Sequence, residues 1–86
     1  MKDENRTLKI YPNPVNKGSE LQVEIPSVMN FERLILINSK GQVLRTKDSL
    51  REEAIRINMA SYPAGVYYIL LRGSDKNEYH KIVVVD

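Results

Sequence analysis

Cysteine and tryptophan are absent from these 86 residues, and histidine and phenylalanine occur once each. Without cysteine there is no disulfide and no thiolate metal site, so a chain this short depends on one packed core. The absence leaves the compartment open, because disulfides are optional in exported proteins. The single histidine, His80, sits inside an alternating segment. It lacks the neighbouring nucleophile and orienting group that catalysis by histidine needs, and it reads as an exposed strand position. The four glycines are scattered and form no phosphate-cradling loop. Asp75-Lys76-Asn77-Glu78 lacks the central glycine and closing glutamate of a calcium loop and reads as a hairpin turn. Glu52 and Glu53 are adjacent, so on a strand they would point to opposite faces and form no local carboxylate pair.

Charge of one sign is also in short supply. Thirteen basic residues against eleven acidic leave a net +2, too little to argue for a nucleic-acid or membrane partner. Arg45, Lys47, Arg51 and Arg56 tint the middle of the chain basic, but the tyrosines that could stack on bases lie in segments that look buried. No apolar run is long enough for a membrane-spanning helix. Residues 1–6 carry no hydrophobic segment of a signal peptide. They read as a linker end with Met1 as an added start, and the domain occupies residues 7–86. If that domain works outside the cytoplasm, the chain is a piece of a longer precursor. No catalytic residue, cofactor or metal set emerges. The chain reads as a binding, targeting or structural module.

What is present is strand after strand. Glu20 to Ile25 alternates cleanly, with Leu21, Val23 and Ile25 inward and Glu20, Gln22 and Glu24 outward. Leu8 and Ile10 make a shorter alternation, which Pro12 and Pro14 end, since neither proline can donate to a ladder. Arg33 to Asn38 is apolar on both faces. Ser39-Lys40-Gly41 turns the chain into a hairpin partner over Gln42 to Thr46, followed by a polar connection from Lys47 to Glu53. Ile55, Ile57 and Met59 alternate in turn. The centre of the chain is Tyr62-Pro63-Ala64-Gly65 followed by the apolar run Val66 to Leu71, which would be covered on both sides or nearly so. Glu78 to Val85 forms the last strand. The spacing of turns predicts an all-β, seven-stranded antiparallel immunoglobulin-like β-sandwich, and Gly65-Val66-Tyr67 fits the tyrosine corner that such sandwiches build before a central strand.

The set Ile10-Tyr11-Pro12-Asn13-Pro14, the Gly41 turn after an apolar strand, Ile57-Asn58-Met59 through Pro63-Ala64-Gly65-Val66-Tyr67-Tyr68, and the ending Lys81-Ile82-Val83-Val84-Val85, in this order, resembles the type A C-terminal sorting domain of the type IX (Por) secretion system of Bacteroidota. The resemblance spans Leu8 to Asp86. The sequence differs from the family pattern at Gln42, where arginine is usual, at Met59, where leucine is common, and at the acidic end, Asp86. The resemblance implies a non-catalytic export signal on a protein that passes from the periplasm to the outer membrane, the cell surface or the medium. It implies a secretion translocon and an outer-membrane β-barrel shuttle protein as partners, with a sortase-like protease and anionic lipopolysaccharide in members that are cleaved and attached. Structural roles are open for each motif: a turn for Pro12 and Pro14, a backbone angle for Gly41, the corner for Tyr67. The last strand can add to a partner's sheet, or to a second copy as an edge-strand dimer. It is equally consistent with a protected edge guarded by Lys81 and Asp86. The rival reading is an immunoglobulin-like adhesion or carbohydrate-binding module, for which Phe31, expected in a loop, and Tyr11 are the aromatic candidates.

Overall fold

The computed structural model describes residues 8–26, 29–50 and 54–86. The expected linker end at residues 1–6, and Glu52 and Glu53, lie outside them. Eight strands follow in order: β1 (Lys9–Tyr11), β2 (Val15–Asn16), β3 (Glu20–Glu24), β4 (Phe31–Asn38), β5 (Val43–Asp48), β6 (Ala54–Asn58), β7 (Gly65–Gly73) and β8 (Asn77–Val85). They form a three-stranded sheet in the order β1-β3-β6 and a five-stranded sheet in the order β2-β8-β7-β4-β5, packed as the two layers of a sandwich.

The all-β sandwich expected from the turn spacing is present, with one strand more. β2 is only two residues long and lies parallel to the end of β8, pairing Val15 with Val84 and Asn16 with Val85. So short an element shows no alternation, and it follows directly on Pro12 and Pro14, which end the first alternating segment. β5 runs two residues further than expected, to Asp48, because Arg33 of β4 pairs with Asp48 both across the ladder and through an Arg33 Nε–Asp48 Oδ1 contact of 2.5 Å. Phe31 is not in a loop. It opens β4 and is 4% exposed, with the Lys76 ammonium 5.6 Å from its ring centre.

Alternation explains the core. Leu21 and Val23 of β3 and Ile55 and Ile57 of β6 face Leu34, Leu36, Ile69, Leu71, Ile82 and Val84 of the large sheet, and all are buried in one cluster. The tyrosine corner closes one end. Tyr67 is buried, and its hydroxyl donates to the Pro63 carbonyl at 2.5 Å, four residues back.

The two outer faces differ. On the small sheet, β3 turns Glu20, Gln22 and Glu24 outward beside Lys9 and Tyr11 of β1 and Arg56 and Asn58 of β6. On the large sheet, the register sets Ile35 beside Leu70, Ile37 beside Tyr68 and Val43, and Val66 beside Val83. Ile35 and Leu70 are 8% and 7% exposed, yet neither belongs to the core cluster between the sheets. Among the described residues, the apolar run of β7 is therefore covered by a second layer on one side only.

Candidate functional site

The residues singled out in the sequence, apart from Gly41, lie on β8, the last strand, or beside it. Alternation divides them. Tyr67, Ile82 and Val84 are buried in the core and hold the sandwich together. Val66, Lys81 and Val83 lie on the opposite face of the same strands, where Val66 and Val83 are half-buried and Lys81 is exposed. A partner meeting this sheet from outside can touch Val66, Lys81 and Val83, and cannot touch Ile82 or Val84.

Pro12-Asn13-Pro14 reaches the same strand from the other side of the sequence. Both peptide bonds preceding these prolines, Tyr11–Pro12 and Asn13–Pro14, are cis. The Asn13 amide nitrogen donates to the Lys81 carbonyl at 2.8 Å, and its side-chain oxygen accepts from the Val83 N–H at 3.1 Å. One side-chain amide thus stands in for the peptide group of a neighbouring strand. Beyond it, β2 continues the coverage, and the Lys17 N–H donates to the Val85 carbonyl at 2.7 Å. From Lys81 to Val85 the edge of β8 already has partners, so among the described residues it is left open to an added strand toward Asn77 and Tyr79. Tyr79 is 65% exposed.

Gly41 sits at the far corner of the large sheet with φ +86, a backbone angle that side chains with a Cβ rarely adopt. The turn is closed around Asn38, whose side-chain oxygen accepts from the Lys40 and Gln42 N–H groups at 2.9 and 3.0 Å. The Asn38 amide nitrogen donates to Gln42 Oε1 at 2.8 Å. Gln42, which departs from the family pattern, has a structural use here. Gly65 has φ +155, with nothing within 4 Å of where a Cβ would stand, so its demand is for backbone freedom and not for space.

His80 is half-buried on the inner side of β8, with Nε2 2.9 Å from Glu78 Oε1, while Lys76 lies 3.7 Å from the other Glu78 oxygen. No nucleophile joins this pair, and no cluster of three or more metal-ligating side chains exists among the described residues. Tyr11 donates its hydroxyl to Glu24; that bond, with some desolvation and the carboxylate charge, pushes the phenol pKa up. With Phe31 buried and Tyr11 tied to Glu24, the aromatic platform of a sugar-binding module is not assembled. The features that sequence reasoning missed are the Asn13 clamp and the lack, among the described residues, of a strand over the second apolar face. Both depend on which distant strands become neighbours.

The family model for the secretion system C-terminal sorting domain matches residues 9–85. The chain belongs to this family. As a sorting domain it is a C-terminal signal of the type IX secretion system, and the protein that carries it is exported toward the outer membrane or cell surface. The family is defined by sorting and not by a reaction. Among solved structures, the sorting domain is similar to part of PorZ, described as an essential bacterial surface component of the type-IX secretion system of Porphyromonas gingivalis. The identity is 17% and the TM-score 0.75, covering 98% of this chain and 12% of PorZ, so the likeness is one of fold. No curated protein matches the chain.

Proposed function

We propose that the sorting domain acts as a folded, non-catalytic tag that brings a passenger to the outer-membrane translocon through a β-barrel shuttle protein, for delivery to the cell surface or the medium. The observation that supports this is the assembly of the family motifs, the Gly41 turn excepted, around one element. Asn13 clamps β8 at Lys81 and Val83, and Tyr67 locks the strand beside it. The terminal strand is thereby held as ordered sheet, so the signal is a surface and not a free peptide. A sortase-like protease and anionic lipopolysaccharide enter this scheme only after export, for a passenger that is cleaved from the tag and attached.

The test is to fuse residues 1–86 to a periplasmic reporter in a host with a working type IX system. Surface or extracellular reporter, lost when the translocon is deleted, is the expected result. A reporter that stays periplasmic while circular dichroism shows the tag folded would overturn the proposal. Ending the tag at Tyr79 is a weaker control, because it also removes Ile82 and Val84 from the core.

A further inference from the structure

The outer face of the five-stranded sheet is more apolar than a solvated sheet face has reason to be. Val43, Ile37, Tyr68, Val66, Val83 and Tyr79 lie across four strands, around the nearly buried pair Ile35 and Leu70. No strand lies over them among the described residues. At strand and same-face spacings of about 4.8 and 7 Å, these side chains cover roughly 300 Å² in plan. A patch of that order is among the largest that a small monomer exposes, and such patches are often functional.

The rim of the face carries an excess of positive charge. Arg33, Arg72 and Lys81 share it with a single carboxylate, Asp48, which is already paired with Arg33 at 2.5 Å. Arg72 and Lys81 have no acidic partner among the described residues, and both are exposed. A second copy would bring the same cations to the contact. Two cations are few for an anionic lipid surface, where each contributes about 1 kcal/mol. We propose that this outer face is the surface through which the sorting domain docks, and that its occupant is a protein surface of apolar side chains flanked by carboxylates. The inference rests on the sorting reading and names the chemistry of the partner in it.

The experiment uses the same reporter fusion with three further tags. One carries Val66→Thr, Tyr68→Thr and Val83→Thr, which keep strand-favouring side chains while removing apolar surface. The second carries Arg72→Glu and Lys81→Glu, changing only exposed side chains, so it stays informative if the first does not fold. The third, a control on the small sheet, carries Gln22→Thr and Arg56→Thr. Circular dichroism of each purified chain establishes folding. Delivery should fall roughly tenfold or more for the first two tags and match the intact tag for the third. Folded first and second tags delivered like the intact one would overturn the inference and leave the sorting reading standing. An intact tag that is not delivered would overturn both. Light scattering that shows a dimer of the intact chain, dispersed by the first variant, would make the occupant a second copy. Sedimentation of the intact chain, but not the second variant, with phosphatidylglycerol vesicles would make it lipid. Either result overturns the inference.

Discussion

The three-stranded sheet shows water Lys9, Glu20, Gln22, Glu24 and Arg56, while the five-stranded sheet shows it Ile37, Val43, Val66, Tyr68 and Val83. Both sheets bury their inner faces in the same core, so folding alone does not explain the contrast. Solubility does not explain it either, because an uncovered apolar sheet face is a liability for aggregation. The chain limits that liability at the edges instead. Asn13 and β2 occupy the rim of β8, and a register irregularity between Leu36 and Ile37 breaks the ladder to β5. On the docking proposal, the small sheet is shaped by water and the large one by the partner that sits on it.

The sharpest way to break this comparison is along β7, where neighbouring residues face opposite ways. Ile69 is fully buried between the sheets, so Ile69→Ala should cost roughly 2–5 kcal/mol, enough to leave so small a domain barely folded. Leu70 is nearly as shielded, but from the outer side, where water can fill the space left behind. Leu70→Ala should cost only ~1–2 kcal/mol. Urea midpoints of the two variants measure the difference. Equal losses would mean that a second layer covers the outer face after all.

Tyr67→Phe should follow at about 1 kcal/mol, for the lost bond to the Pro63 carbonyl. Its pH dependence is a separate signature. Burial, with a smaller contribution from Tyr62, raises the Tyr67 pKa above the ordinary 10.0. The native state therefore keeps its proton where the unfolded chain has lost it. Stability from this group is complete below pH 10 and falls as pH rises through the folded value. Tyr67→Phe should flatten the alkaline loss seen in urea midpoints. Tyr11, raised through Glu24, contributes loss of the same sign and remains in the variant.

Asn13→Ala should be milder, about 0.5–1 kcal/mol, because water can reach the exposed edge it leaves. Its readout is local. The Val83 amide, held by the Asn13 side chain, should lose protection from hydrogen exchange while the Ile69 amide keeps its own.

Much of this architecture was legible because burial leaves a period. The alternation of Glu20 to Ile25 shows both the strand and its wet face, and Tyr67 after Gly65 marks the corner. A run apolar at every position, as in Val66 to Leu71, marks burial on one side but is silent on whether the other side meets protein or water. That is why the outer face was expected to be covered. The Asn13 clamp joins residues 68 and 70 positions apart, a pairing no local pattern records. Phe31 was misplaced for a nearer reason. Asn30 has φ +53 and the β4–β7 register shifts between Phe31 and Arg33, so the strand begins amid irregular backbone.

The smallest effect is the one that sharpens the comparison most. Gln22 lies at the centre of the small sheet's outer face, between Tyr11 on one side and Arg56 on the other. Its amide has no hydrogen-bond partner among the described residues, and its strand is held by the inward Leu21 and Val23. Gln22→Val would therefore place one apolar side chain on the polar face at little cost to the fold. The stability read from the urea midpoint should move by less than about 0.5 kcal/mol in either direction, with β-propensity gained against the lost hydration of the amide. Reporter delivery should be unchanged. If that single substitution reduced delivery as much as Val66→Thr, Tyr68→Thr and Val83→Thr together, the polar face would be the one that is read. The apolar face would then need another explanation.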